Sequence, residues 1–265
     1  MKKILLALVA IMVLTGCADS KDSNTLTVAT SPDYPPYEFF NKNAGEGELP
    51  YLGADIELAK YVAEKLGKEL VISAVAFKSI PTAIAAKKYD IGISGFTYEK
   101  ERAEILDFSI SYDTSESACQ GILVKKDKAA EYTSLEDFDS LKIAVQNASA
   151  QLGYVNEQLP NATVQLVANL NDAVLQLKTD KVDAVAISCA SGTAQASANS
   201  DVVMSDIQFK VNPDDGTMII VPKGSDDLLK QINTIIEEVK EKDLYTKWHQ
   251  EAVQQAKELG LEGDE

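Results

Sequence analysis

The side chains able to do chemistry in this sequence are few in kind. One histidine, His249, and three cysteines, Cys17, Cys119 and Cys189, leave little for a His-based triad, a His/Cys zinc cage or an iron–sulfur cluster. No GxxxxGK[ST] run occurs, so the sequence carries no nucleotide-hydrolysing loop of that type. What it offers instead are hydroxyls, rings and amides set just past apolar, β-branched runs: Ser31–Tyr34, Phe77, Ser94–Thr97, Asn147–Gln151 and Ser188. Ligands of open α/β sheets bind beyond the carboxyl ends of the strands, which is where these residues fall. Asp33 and Glu38 are the acids in the same mouth, and neither sits in a catalytic pattern. His249 lies in the last helical stretch, away from it.

The elements that position these groups follow from periodicity. Leu26–Thr30 alternates and is β-branched, predicting a strand that the prolines of Ser31–Pro36 break. Gly53–Leu66 places Ile56, Ala59, Val62, Ala63 and Leu66 at helical spacing, with Gly67 as the stop. Leu70–Ala76 is a second strand, Pro81–Lys88 a short helix and Tyr89–Ser94 a third strand ending in a turn at Gly95. The same grammar returns with strands at Leu141–Val145, Val164–Val167 and Lys181–Ile187, and helices at Ser149–Leu159 and Asn171–Lys178. Ser134 to Asp137 reads as a capping sequence ahead of the first of them. Between the halves, Tyr112–Val124 is extended and serine-rich. A final block holds a strand at Thr217–Val221, a helix capped by Ser225 and a last helix, Leu244–Leu259, anchored by Trp248. Strands alternating with helices predict parallel sheets with crossover helices, here as two lobes with a cleft between them.

Composition sets the surroundings. The 265 residues are 45% hydrophobic and 25% charged, an ordinary globular balance, and the formal net charge is −16. Such a surface repels phosphate backbones, so no nucleic-acid partner is expected. Met1-Lys2-Lys3 is a short basic head before the apolar run Ile4–Leu14, which is too short to span a bilayer and suits an export signal. Leu14-Thr15-Gly16-Cys17 then resembles a bacterial lipobox, in which the cysteine is lipidated and becomes the new N-terminus. On that resemblance residues 1–16 are a signal peptide and 17–25 a lipidated tether, leaving the protein exported and held at the membrane, facing away from the cytoplasm. Cys119 and Cys189 remain as an even pair in an oxidising compartment, either bridged or as two buried thiols.

Several stretches carry a further resemblance. Val28-Ala29-Thr30-Ser31-Pro32-Asp33-Tyr34-Pro35-Pro36-Tyr37-Glu38-Phe39 is similar to the opening motif of amino-acid-binding proteins of ABC importers, and Gly53-Ala54-Asp55-Ile56-Glu57-Leu58-Ala59 to their first-helix signature. Asp90-Ile91-Gly92-Ile93-Ser94-Gly95-Phe96-Thr97-Tyr98-Glu99-Lys100-Glu101-Arg102 resembles their ligand motif, with Asp107-Phe108-Ser109 following. Ser134–Phe138, Ile143–Gln146 and Lys181–Val185 continue the match in order, over about residues 26–250. The resemblance is to the extracellular solute-binding proteins, family 3. It implies an α/β, periplasmic-binding-protein-like fold with mainly parallel sheets and two hinge strands. Lobe 1 would comprise residues 26–113 and 215–265, and lobe 2 residues 114–214. The implied function is capture of a free amino acid and its delivery to a membrane permease, by a monomer needing no cofactor or metal. An extracytoplasmic dehydratase on the same fold, or an exported sensing module, is the alternative.

Residue by residue, the resemblance gives Arg102 the ligand's α-carboxylate, which a guanidinium grips through two parallel, charge-assisted hydrogen bonds. Ser94, Thr97 and the backbone at Gly95 match positions that bind carboxylate and ammonium groups. Ser149 matches a hydroxyl and amide at a helix start, where free N–H groups favour an anion. Gln151 and Gln146 stand behind it. Tyr34 and Phe77 match an aromatic pair flanking the ligand side chain, and Phe96 would add a third face. Ser188 and Ser31 occupy positions where many members carry aspartate; these departures count against a standard basic-amino-acid ligand and leave room for one whose amine is modified or less tightly held.

Overall fold

A computed structural model describes residues 24–113, 119–211 and 216–259. Cys17, the expected signal peptide and all but the last two residues of the expected tether lie outside them. The chain opens with β1 (Thr25–Thr30), β2 (Asp33–Tyr34), β3 (Glu38–Phe40) and β4 (Tyr51–Leu52), then α1 (Ala54–Lys65), β5 (Glu69–Ala74) and α2 (Ile80–Ala85). β6 (Ile91–Gly92), α3 (Lys100–Ala103) and β7 (Leu106–Phe108) follow. A second unit holds β8 (Gln120–Lys125), β9 (Lys142–Gln146), α4 (Ala150–Gln158), β10 (Thr163–Val167), α5 (Leu170–Lys178), β11 (Ala184–Ser188), α6 (Cys189–Ala198) and β12 (Val202–Gln208). The chain ends with β13 (Ile220–Pro222), α7 (Asp226–Glu241) and α8 (Leu244–Glu258).

Two five-stranded sheets result, in the orders β5-β1-β6-β13-β7 and β10-β9-β11-β8-β12. In each, three parallel strands continue into antiparallel ones. β13 therefore belongs to the first sheet although it follows the second in sequence. Asp113 and Thr217 pair antiparallel where the chain leaves and re-enters this first lobe. Segments 114–118 and 212–215, on which the expected lobe boundaries fall, lie outside the described residues.

Strand alternation sorts side chains to the two faces of each sheet. In the first lobe Leu26, Val28, Ile219 and Val221 pack with Leu58 and Val62 of α1 and Ile232 and Ile236 of α7. Their sequence neighbours Ala29 and Ile220 point the other way, onto Ile80, Ile84 and Phe96. In the second, Leu123, Ala144 and Val185 meet α5, while Ile122, Val124, Ile143 and Val145 meet Val155 and Leu159 around α4. Burying one such aliphatic side chain contributes roughly 1.5–3 kcal/mol, so each face is a substantial core.

Several expectations change. The strand expected over Tyr89–Ser94 pairs only at Ile91–Gly92, because the chain then turns away at Gly95, whose φ of 59° is left-handed. Ser225 stands at the N-cap of α7 without a side-chain cap bond, and the acidic first turn, Asp226 and Asp227, supplies the negative charge that suits the helix N-terminus. Trp248 is only partly buried and packs on the core from outside, whereas Tyr245 is the buried anchor of α8. The small sheet β2-β3-β4 was not foreseen, since strands of two or three residues are too short to show a period. Neither was α6, whose sequence CASGTAQASA has no apolar stripe.

Candidate functional site

The carboxyl ends of both parallel trios face one another. Past β1 come Ser31, Asp33 and Tyr34; past β5, Phe77; past β6, Ser94 and Gly95. From the second sheet come Gln146 at the end of β9 and Ser188 at the end of β11. Gln120 is brought beside Ser188 by antiparallel pairing of β8 with β11. Ser149 caps α4, its hydroxyl accepting from Leu152 N, with Ala150 and Gln151 in the first turn. Together with Tyr37, Glu38, Thr97, Arg102 and Thr217, these residues line a small, partly enclosed cavity of about 40 Å³.

Arg102 is only 7% exposed. Its guanidinium carbon lies 5.6 Å from the centroid of the Phe77 ring and 5.3 Å from that of Phe96. These two rings stack at 4.8 Å and form a platform that carries the cation by cation–π attraction. The guanidinium donates to Thr97 O at 3.2 Å and, across the cleft, to Ala148 O at 2.6 Å. Glu99 Oε1 lies 3.1 Å away as an ion-pair partner. Burial lowers the Arg102 pKa, partly opposed by Glu99. Burial likewise raises that of Glu99, opposed by Arg102. A desolvated guanidinium on a cavity wall is a strong carboxylate receptor.

Of the ten sequence-derived ligand positions, nine line this cavity: Tyr34, Phe77, Ser94, Gly95, Thr97, Arg102, Ser149, Gln151 and Ser188. Phe96 does not. It is fully buried beneath Phe77, against Ile80 and Ile84, and acts by supporting Arg102 rather than by facing the cavity. Tyr34 stacks on Tyr37 at 5.0 Å, and burial pushes its hydroxyl pKa up to about 12. His249 is turned away from the cavity and meets the edge of Tyr37 at 5.6 Å. Cys119 and Cys189 are joined in a disulfide with their Cα atoms 5.4 Å apart. It staples the start of β8 to α6, next to Gln120 and Ser188.

Four side chains gain contacts that the sequence did not reveal. Gln120 accepts from Gln151 Nε2 at 2.6 Å, forming part of the second lobe's wall; its place follows from the disulfide beside it. Glu38, 1% exposed, accepts from Ser94 Oγ at 2.5 Å. Asp55, equally buried, accepts from Gly95 N at 2.8 Å, Tyr112 Oη at 2.9 Å and Tyr245 Oη at 2.6 Å. Burial pushes Asp55 up to about 6, and burial together with the Asp55 charge holds Glu38 well above the usual carboxylate range. Asp33 reaches across the cleft, accepting from Leu170 N at 2.9 Å and Gln146 Nε2 at 3.3 Å. Among the described residues no cluster of His, Cys, Asp and Glu suited to a metal ion occurs.

Residues 26–254 match the family of bacterial extracellular solute-binding proteins, family 3. The chain belongs to that family. Residues 1–18 match the prokaryotic membrane lipoprotein lipid attachment site. The arginine-binding extracellular protein ArtP of Bacillus subtilis is 34% identical over 197 residues, which cover 71% of this chain and 73% of that one. Among solved structures, an amino acid ABC transporter substrate-binding protein from Streptococcus pneumoniae, bound to L-arginine, superposes with a TM-score of 0.81 at 31% identity. The match covers 87% of this chain and 94% of that one. An ancestral amino-acid-binding protein, described as a precursor of cyclohexadienyl dehydratase, superposes with a TM-score of 0.75 at 30% identity over 87% of this chain and 96% of its own. The fold is thus the periplasmic-binding-protein-like one, and the likeness is to amino-acid-binding components of ABC transporters.

Proposed function

We propose that this protein is the lipid-anchored binding component of an ABC importer, which closes its two lobes on a free amino acid with a cationic side chain, arginine first, and presents it to the permease. The observation that carries this reading is the buried Arg102, seated on the wall of a cavity that also holds the acid Glu38. Arg102 takes the α-carboxylate, helped by the hydroxyl of Ser149 and the free amides at the start of α4. The rings of Tyr34 and Phe77 flank the aliphatic part of the side chain. Glu38 meets the cationic end, supplying a carboxylate that neither Ser31 nor Ser188 can. Arginine-binding relatives and an arginine-bound neighbour support this choice of ligand.

Closure follows from a ligand that touches both lobes, since it binds the closed state more tightly than the open one. Cys17, acylated after removal of residues 1–16, holds the protein near the permease.

Calorimetric titration with arginine, lysine, glutamine, histidine and cystine tests the reading. Arginine is expected to bind most tightly and to be recovered unchanged after long incubation. Arg102→Ala is expected to weaken it by about 1.5–3 kcal/mol or more, roughly tenfold to over a hundredfold. Unchanged affinity in that variant would remove Arg102 from the site.

A further inference from the structure

Glu38 and Asp55 are two acids in one buried place, each 1% exposed. Glu38 is carried by β3 and Asp55 by the first turn of α1. Facing Glu38 are Asp55, Asp33 of β2 and Ser94 past β6, with Tyr34 and Tyr112 close enough to feel its charge. Tyr245 of α8 closes the far side of Asp55. Among the described residues the one cation on the cavity wall is Arg102 of α3, and it is engaged with Thr97, Ala148 and Glu99.

The hydrogen bonds divide unequally. Asp55 receives three donors, from Gly95 N, Tyr112 Oη and Tyr245 Oη. Glu38 receives Ser94 Oγ on one oxygen, while the other, Oε2, is buried and meets no donor among the described residues. Two neighbouring carboxyl groups in a poorly solvated site do not both ionise. A proton on one of the two removes the repulsion. The three donors make Asp55 the better-stabilised anion, so the proton sits on Glu38.

Glu38 also forms part of the cavity wall. We propose that Glu38 and Asp55 form a proton-exchange subsite for the cationic end of the ligand; this rests on the cationic-ligand reading above. When that end arrives, the Glu38 O–H bond breaks, the electron pair stays on the carboxylate and the proton passes to solvent. The carboxylate then accepts N–H donors from the ligand, which supplies the positive charge the pair lacked. A neutral side chain of equal length meets a carboxylic acid and displaces nothing. The subsite therefore ties affinity for cationic ligands to pH, with a gain of up to about tenfold per unit over the range in which the free protein holds the proton.

Titration calorimetry of the wild-type chain at pH 6.5, in phosphate and in bis-Tris, reads the proton directly through the two buffers' different heats of ionisation. Arginine is expected to release about half to one proton per molecule bound. Citrulline, its neutral analogue of the same length, is expected to release none where it binds. Glu38→Gln is expected to bind arginine more weakly and with a heat independent of buffer. Arginine binding to the wild type with the same heat in both buffers would overturn the subsite while leaving the ligand assignment standing. No binding of arginine or lysine at all would overturn that assignment, and the subsite with it.

Discussion

Side chains in this cavity work through the neighbours that hold them. Arg102 rests on two stacked rings, of which only Phe77 reaches the cavity, so Phe96 supports the cavity wall at one remove. The sequence motif placed Arg102 but could not separate those two rings, because both lie close to it and only packing decides which faces outward. Glu38 and Asp55 show a second limit. They are 17 positions apart, on different elements, and neither type nor spacing announces that they meet. Their meeting has a consequence for stability. Both carboxyl groups titrate above their ordinary range in the folded chain, Asp55 at about 6, with burial as the first cause. The folded state thus keeps protons that the unfolded chain releases once pH exceeds the usual carboxylate value. Their contribution is most favourable in acid and is lost as pH rises from that value through the folded one. Glu38→Gln, an isostere that never ionises, is expected to gain on the wild type as pH rises above the usual carboxylate value, by up to about 1.4 kcal/mol per pH unit. Urea unfolding at several pH values measures this, and parallel curves would show that Glu38 is ionised in the folded chain.

At the scale of elements, the lobes are held together by contacts at helix starts. Asp33 of β2 receives Leu170 N in the first turn of α5, whose N-cap is Asn169. A carboxylate at a helix N-terminus gains from both the free amides and the dipole. Ser191, in the first turn of α6, donates to Pro35 O at 2.7 Å, and Arg102 donates to Ala148 O just before α4. On the proposed function, Asp33 is a latch that strengthens ligand binding by favouring closure. Asp33→Ala is expected to weaken arginine about five- to thirtyfold, as a lost charge-assisted bond of about 1–2 kcal/mol implies. The ligand-bound variant should also be more expanded in small-angle scattering; an unchanged affinity would deny the latch. The disulfide braces the opposite wall. Because it closes a separation of 70 residues, replacing Cys119 and Cys189 with serine is expected to cost about 2–4 kcal/mol of stability, read by chemical unfolding. A loss under 1 kcal/mol would mean that packing alone holds β8 to α6. Long, periodic elements such as α1, α7 and the parallel strands were legible in the sequence. The latch was not, since it joins positions 137 apart through a main-chain amide.

The whole molecule is a pair of sheets whose parallel strands aim their carboxyl ends at one cavity. Repetition of the strand–helix pattern made this arrangement legible, and the loop residues past each strand followed from it. What stayed hidden is what the third dimension adds: the small sheet that carries Glu38, the α6 helix built from small residues, and the antiparallel pairing by which β13 joins the first sheet. Those parts turn an open α/β cleft into a cavity with a guanidinium and a carboxyl group in its wall. The central claim is that the guanidinium receives the ligand's carboxylate. Competitive titration of arginine against agmatine, which keeps the guanidinium and the chain but lacks the carboxylate, tests it most directly. Agmatine is expected to bind at least about a hundredfold more weakly, the loss of a buried, charge-assisted pair of hydrogen bonds. Equal affinities would show that Arg102 does not hold the carboxylate.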